Sequence, residues 1–173
     1  REGRTAVLID AGISLRRIKA GLARQTLTPG ELSGVLITHE HGDHVSGLPM
    51  LVKHHPDIRI FAPKTVAHAL ERTVAGIESC LVPVVPGEPV DVKSFRITAF
   101  STPHDTPESV GYVLAGVNAR FGFCTDTGSV TAEMLAALAG CDAVVIEANH
   151  DPIMLRLGRY PVYLKRRILS ERG

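Results

Sequence analysis

The chain has 173 residues, of which 45% are apolar and 21% are charged, and its formal net charge at pH 7 is +1. This length and composition predict one soluble globular domain over residues 1–173, and without an apolar run of roughly 20 residues or a charged-then-apolar leader we expect no membrane contact. The near-neutral charge gives no general electrostatic case for nucleic acid, and three cysteines at no metal-type spacing favour a reducing, cytoplasmic setting.

The first apolar run, residues 5–12, predicts a strand closed by a turn, with Asp10 near its end. A strand that is apolar throughout is expected to be covered on both faces. The Asp10 carboxylate could orient a neighbouring ligand histidine, or it could cap the helix that the apolar spacing predicts from Ser14 to Ala23. Both interpretations stay open at this point.

A dense polar cluster follows the second predicted strand and contains His39, His41, Asp43 and His44. Side chains alternate in an extended chain, so His39 and His41 project to the same side and can bind one cation. Asp43 and His44 break the alternation, and a turn into a predicted helix at residues 45–55 would aim them at a neighbouring point. Imidazoles and carboxylates are the usual ligands of zinc-like metals, which predicts two adjacent metal positions. The alternative is a surface histidine cluster without metal.

His104 is the candidate third imidazole of the first position. A short strand at residues 58–62 and a helix at residues 64–76 precede an alternating strand from Val92 to Thr102, and His104 lies just beyond the end of that strand. A lone loop histidine ordinarily has no metal role. Zinc-type sites, however, use three protein ligands plus water. His39 and His41 supply two of the three, so His104 is the candidate for the third.

Asp126 follows two further predicted strands, residues 110–115 and 120–124. Its carboxylate could bridge two cations or cap a predicted helix at residues 129–139, and one side chain can do both. The sequence therefore adds a second carboxylate to the candidate metal ligands.

The last predicted strand, residues 143–146, ends in a polar cluster that contains Glu147 and His150. These two residues lie where a proton relay or a leaving-group acid would be expected, although Glu147 could instead be a cap or an ion-pair partner. Since the polar clusters follow strand ends, we expect them to converge on one edge of the sheets.

Basic side chains dominate residues 151–173, where only Asp151 and Glu171 are acidic. The basic residues of this stretch are Arg156, Arg159, Lys165, Arg166, Arg167 and Arg172. The pattern predicts either a solvated helix face or a strip that binds phosphate.

Taken in this order, the motifs resemble those of the metallo-β-lactamase superfamily, whose signature is His-x-His-x-Asp-His with a strand-end Asp before it and a lone His and a bridging Asp after it. The resemblance covers nearly the whole chain and implies a four-layer αββα sandwich. It implies two divalent metal ions, Zn or Mn with Fe also compatible, between the sheet edges. Its ligand set would be His39, His41 and His104 for the first ion, Asp43 and His44 for the second, and Asp126 as the bridge.

Residues 125–128, 147–151 and 158–170 resemble the YycJ/WalJ group, on the nuclease side of this superfamily, which is associated with 5′-to-3′ exonuclease activity on DNA. Members continue past a glycine like Gly173 with two further histidines, one of which completes the second metal site. Both are absent from this sequence, which also begins without Met. We therefore expect a sandwich that is incomplete at both ends, with an unpaired apolar edge. The alternative is a second metal with one ligand fewer, for which His150 is the nearby substitute.

This resemblance implies a metal-dependent phosphodiesterase that acts on DNA through a hydroxide bridging the two ions. Asp43 would both bind the second ion and orient the hydroxide, while Glu147 and His150 would assist proton transfer. Two alternatives stay open. One is hydrolysis of a small substrate such as a thioester, a lactam or a cyclic phosphodiester, and the other is a non-catalytic metal-binding module.

Overall fold

The computed structural model describes residues 5–148 and 150–172. Residues 1–4, Asn149 and Gly173, which the predicted single domain includes, lie outside the described residues. The strands are Val7–Ile9 (β1), Gly34–Leu36 (β2), Ile60–Pro63 (β3), Leu81–Val84 (β4), Pro89–Val92 (β5), Phe95–Ser101 (β6), Val110–Ala115 (β7), Arg120–Cys124 (β8) and Ala143–Ile146 (β9). The α-helices are Leu15–Ala23 (α1), Gly42–Val45 (α2), Leu48–His54 (α3), Lys64–Glu71 (α4), Ala132–Leu138 (α5), Pro152–Leu157 (α6) and Val162–Ile168 (α7).

The first sheet has the strand order β1-β2-β3-β4, and its neighbouring strands are parallel. Parallel neighbours need a crossover connection, and helices α1 to α4 supply these crossovers. All four strands therefore end at the same edge of the sheet. Asp10 and the histidine cluster follow β1 and β2, so both lie at this edge.

The second sheet has the order β5-β6-β7-β8-β9 and is antiparallel except for the parallel pair β8 and β9. Helix α5 connects these two parallel strands. Strands β6, β8 and β9 run in one direction, so the loops that follow them, which carry His104, Asp126 and Glu147, leave the sheet at one edge.

The two sheets pack face to face. Leu36 and Phe61 of the first sheet are buried in one apolar cluster with Ile97, Tyr112 and Leu114 of the second. The other face of the first sheet packs against α1, α3 and α4, and the other face of the second packs against α5. This arrangement confirms the expected four layers, αββα.

Hydrogen bonds join the two sheets at the edge that carries the polar clusters. The Val110 backbone N–H donates to the Thr38 carbonyl at 3.1 Å, and the Tyr112 hydroxyl donates to the Ile37 carbonyl at 2.6 Å. Tyr112 is fully buried. These bonds fix the end of β2, and with it the start of the histidine cluster, against the second sheet.

Strand β9 is an edge strand among the described residues, and it is apolar. Val144, Val145 and Ile146 remain 42%, 43% and 47% exposed. An apolar edge of this kind was expected from the sequence. No helix in the described part of the chain combines the length and apolar character needed to cross a membrane.

Two predicted elements are divided in the structure. The helix predicted at 45–55 begins earlier, at Gly42, and is broken into α2 and α3, because the Gly47 N–H donates to the Ala11 carbonyl at 2.7 Å instead of continuing the helix. The stretch from Val92 to Thr102 contains the expected strand as β6, and a turn separates β6 from Val92 at the end of β5, because Lys93 adopts a left-handed φ of 54° and Val92 pairs with Phe95. Four other predictions were too long or shifted: the first strand, the strand at 58–62, the helix at 64–76 and the helix at 129–139.

Gly12 allows the loop after β1 to pack against the backbone of Asp43, within the histidine cluster of residues 39–44. A Cβ atom at this position would be 1.4 Å from the Asp43 carbonyl oxygen. We expect Gly12→Ala to lower the free energy of unfolding of the metal-free protein by about 3 kcal/mol, the upper range for forced overpacking. Urea unfolding measures this. Gly21→Ala is the matched control, because a Cβ there meets nothing within 4 Å inside α1, and it should stabilise by about 0.5–1 kcal/mol. Equal stabilities of the two variants would contradict the close approach.

Candidate metal centre

His39, His41 and His104 meet at the edge between the sheets. His41 Nδ1 lies 3.1 Å from His39 Nε2 and 3.2 Å from His104 Nε2. In a tetrahedral zinc site with Zn–N bonds of about 2.0–2.1 Å, neighbouring ligand nitrogens lie ~3.3 Å apart. The three imidazoles therefore fit one tetrahedral metal ion with the fourth position left for another ligand.

His39 also belongs to a second group of ligands, with His44 and Asp126. His44 Nε2 lies 3.2 Å from Asp126 Oδ2, and the His39 and His44 ring centroids are 4.1 Å apart. The two groups thus share one imidazole and lie side by side. The structure brings together five of the six predicted ligands in groups that can bind metal.

Thr38 and Asp10 contact the Nδ1 atoms of His39 and His44 and so orient these two rings. Asp10 accepts hydrogen bonds from the Thr38 N–H at 2.9 Å and from the Thr38 hydroxyl, and its Oδ2 lies 2.8 Å from His44 Nδ1. The Thr38 hydroxyl lies 3.0 Å from His39 Nδ1, which leaves His39 Nε2 to face the site. Asp10 therefore orients His44, a candidate ligand, and the residue that precedes α1 as its N-cap is Ser14.

Asp10 and Asp126 both adopt left-handed backbone conformations, with φ of 57° and 53°. Such values are uncommon for residues other than glycine, although aspartate tolerates them better than most. Strain of this type is found where the surrounding structure requires one side-chain position. Here it directs both carboxylates towards His44.

Three of the candidate ligands, His39, His44 and Asp126, have strongly shifted pKa values. Burial lowers the pKa of His39 to about 3, helped by the other histidines, so its imidazole is neutral and able to bind metal at physiological pH. The hydrogen bond from His44 lowers the pKa of Asp126 to about 2, so this carboxylate is ionised. Burial alone would lower the pKa of His44, but hydrogen bonds to Asp10 and Asp126 outweigh it and raise the pKa to about 10.

Zinc binding to the metal-free protein is expected to release about one proton from His44 at pH 8. The cation needs the neutral Nε2 atom, whereas a pKa of about 10 keeps the ring protonated at that pH. Because the folded pKa is raised, affinity at this position should increase as the pH rises towards 10. Titration calorimetry in buffers of different ionisation enthalpy counts the proton.

His44→Ala should lose this proton release, whereas His68→Ala, which changes a 70%-exposed histidine on α4, should keep it. The same number of protons released by wild type and by His44→Ala would contradict the assignment.

Asp43 lies on the open side of the second group. Its side chain is 81% exposed, and Oδ2 lies 3.7 Å from His44 Nε2. The two compact ligand groups do not include Asp43, so its role as a ligand of the second ion stays a prediction.

Glu147 and His150 occupy different surroundings. Glu147 accepts a hydrogen bond from the backbone N–H of Thr127, the residue after Asp126, and so supports the loop that carries Asp126. His150 is exposed and lines an open pocket with Arg159 and Tyr160. Neither residue belongs to the two ligand groups, and their roles in proton transfer, like that of His150 as a substitute ligand, stay predictions.

Asp105 is a residue of the site that the sequence analysis did not identify. Its Oδ1 lies 3.3 Å from His104 Nε2 and 3.9 Å from His41 Nε2, and its Oδ2 lies 2.6 Å from Arg167 Nε. Its position directly after the candidate ligand His104 was the sequence signal that could have identified it. The pairing with Arg167 joins positions 62 residues apart and has no local sequence pattern.

The chain is similar to known proteins over most of its length. A family model described as a β-lactamase superfamily domain matches residues 5–159. Exodeoxyribonuclease YycJ of Bacillus anthracis is 36% identical over 170 residues, and exodeoxyribonuclease WalJ of Streptococcus pneumoniae serotype 2 is 32% identical over 170 residues. Each alignment covers 96% of this chain and 63% of the relative, so the chain spans less than two thirds of the length of these relatives.

The crystal structure of Zn²⁺-bound PqqB from Methylobacterium extorquens is similar in fold. Its TM-score is 0.77 at 19% identity, over 92% of this chain and 62% of that one. This likeness supports the fold alone.

Proposed function

Because the chain belongs to the β-lactamase superfamily and has the metallo-β-lactamase fold, we propose that it is a metal-dependent phosphodiesterase, a 5′-to-3′ exonuclease that acts on DNA. The family assignment and fold, expected from the sequence, are confirmed. The relatives named as exodeoxyribonucleases support the choice of DNA.

The observation that carries this proposal is the pair of ligand groups that share His39. A single imidazole nitrogen binds one ion, so His39 would serve the first ion with His41 and His104, and His44 and Asp126 would serve an adjacent second ion, the two-ion arrangement of two-metal phosphodiesterases. Imidazole and carboxylate donors suit Zn, and they also accept Mn or Fe. When bound, a pair of such ions supplies Lewis acidity and a nucleophile derived from water at neutral pH.

The protein's own groups do the positioning. Asp10 accepts from His44 Nδ1 and so directs His44 Nε2 inwards. The ionised Asp126 carboxylate belongs to the second group, with His39 and His44, and we propose that it bridges the two ions. The exposed Asp43 carboxylate, 3.7 Å from His44 Nε2, would accept a hydrogen bond from the attacking water, and His150 is the proposed acid for the departing 3′ oxygen.

The proposed phosphate-binding strip is smaller than the sequence suggested. Arg167 is paired with Asp105, and Arg172 donates two hydrogen bonds to backbone carbonyls, so both are engaged within the protein. Arg156, Arg159 and Arg166 remain exposed on or beside α6 and α7. We propose that these three side chains contact the DNA backbone, which gives affinity without sequence preference.

The test is hydrolysis of 5′-labelled DNA after removal of metal by a chelator and its restoration with Mn²⁺ or Zn²⁺. We expect no turnover without metal and release of labelled mononucleotide with about two ions per chain. A thioester, a lactam and a cyclic phosphodiester are assayed beside it. Turnover of one of these without turnover of DNA would favour the small-molecule hydrolase, and two bound ions with no turnover would favour the metal-binding module.

Arg166→Glu tests the DNA strip within the same assay. It should raise the KM for DNA without changing kcat. The salt dependence of the KM should become less steep, by about the amount that one phosphate contact contributes. Arg72→Glu, an exposed charge reversal after α4, is the matched control and should leave the KM unchanged. An equal effect of both reversals would mean that only the overall charge matters.

A further inference from the structure

Arg172 is hydrogen bonded to the loop that carries His104. Its Nε donates to the His104 carbonyl at 2.8 Å, and its Nη2 donates to the Thr106 carbonyl at 3.0 Å. A guanidinium group is planar and rigid, so two donors of one group fix two carbonyls relative to each other. Arg172 therefore sets the backbone on both sides of Asp105.

Arg167 holds the residue between those carbonyls. Its Nε lies 2.6 Å from Asp105 Oδ2, while Asp105 Oδ1 lies 3.3 Å from His104 Nε2 and 3.9 Å from His41 Nε2. The Asp105 side chain is 31% exposed. The arginine thus fixes a carboxylate that borders two of the three imidazoles of the first metal position.

The same segment reaches the loop that follows Asp126. The Ser129 hydroxyl donates to the Glu171 carbonyl at 3.0 Å, and the Gly128 N–H donates to the Pro103 carbonyl at 2.9 Å. The loop after β8, the loop after β6 and the segment after α7 are therefore joined to one another. Two of them carry predicted ligands.

We propose that Arg172 and Arg167 are positioning residues for the first metal: Arg172 holds the backbone of the His104 loop so that the third imidazole completes the site, and Arg167 holds the Asp105 carboxylate beside the His41 ring. The proposal rests on the metal position of the proposed function. It also gives a reason why these two arginines differ from the other basic residues of the stretch, since their donors are engaged with the His104 loop.

The side chain of His104 is 6% exposed, but its loop lies between strands and has no regular structure of its own. If this loop histidine is displaced by a fraction of an ångström, the protein still folds but binds metal less tightly. Groups that orient metal ligands commonly contribute 10- to 100-fold in metal affinity. We expect the arginines to contribute a similar factor to metal affinity and to affect the stability of the fold less.

The experiment compares Arg172→Ala, Arg172→Lys and Arg167→Ala with wild type. It measures zinc dissociation constants by competition with a chelator, and the visible absorption of the cobalt(II)-substituted proteins as a report on coordination. Arg166→Ala is the matched control, because Arg166 is an exposed neighbour on the same helix. We expect Arg172→Ala to weaken the first zinc ion by about 10- to 100-fold and to change the cobalt spectrum, with Arg172→Lys between it and wild type.

Wild-type zinc affinity and an unchanged cobalt spectrum in Arg172→Ala and Arg167→Ala would overturn the proposal. If Arg172→Ala does not fold, Arg172→Lys decides: a weaker first zinc ion supports the positioning role and wild-type affinity overturns it. His104→Ala separates this result from the proposed function. Loss of the first ion in His104→Ala with wild-type affinity in the arginine variants rejects only the positioning role, whereas two ions bound normally by His104→Ala reject the metal site itself.

Discussion

Replacement of His39 by alanine is expected to lower the turnover of DNA by on the order of 10³-fold, or ~4 kcal/mol of transition-state stabilisation. His39 is the residue common to both ligand groups, and its side chain is fully buried at their junction. Its loss therefore removes a ligand from the first position and disturbs the second. Metal content should fall well below two ions per chain. Turnover on end-labelled DNA and elemental analysis measure the two effects.

His68→Ala is the control for this variant, because it removes a histidine that is 70% exposed and contacts Glu71 on α4. It should retain wild-type turnover and metal content. His39→Gln keeps most of the side-chain volume and separates loss of a ligand from the cavity that alanine leaves. If His39→Ala folds and still binds two ions with wild-type turnover, the shared-ligand arrangement is wrong.

Asp43→Ala is expected to lower turnover by about 10²- to 10³-fold, with little change in the thermal midpoint of the metal-free protein. The Asp43 side chain is 81% exposed and lies 3.7 Å from His44 Nε2, so its removal leaves no cavity. The effect should appear in kcat, and the second ion should dissociate more readily. Steady-state kinetics, metal titration and calorimetry distinguish these quantities.

Asp91→Ala is the matched control, since it also removes an exposed carboxylate, 73% exposed, from the β5–β6 hairpin. It should leave kcat unchanged. Equal rates for wild type and Asp43→Ala would remove Asp43 from the mechanism, while the first metal position, which does not contain it, would stand.

The bounds of three strands were predicted correctly from local pattern. Residues 110–115, 120–124 and 143–146 form β7, β8 and β9 as expected. In each case a run of apolar or β-branched residues is followed by turn or polar residues, and this signal depends only on near neighbours. The same local logic identified His39, His41 and His44, because side-chain alternation and the turn after it are properties of six adjacent residues.

Non-local contacts decided the features that the sequence pattern missed. The break between α2 and α3 depends on a hydrogen bond from Gly47 to Ala11, a residue 36 positions earlier. Asp105 is paired with Arg167, and three of the six basic residues of the C-terminal stretch are engaged within the protein: Lys165, Arg167 and Arg172. Apolar periodicity carries no information about such hydrogen-bond and ion-pair partners, because they meet only when the helices and loops pack against the sheets.

By itself the sequence determined the residue types of the candidate metal centre, their order and their place at strand ends, because ligand chemistry and strand termination depend on short segments. Only the tertiary structure decided that His104 lies 3.2 Å from His41 and that Asp10 directs His44 rather than capping α1. The physical reason is that these distances depend on how two sheets pack, and that packing results from apolar contacts spread over the whole chain.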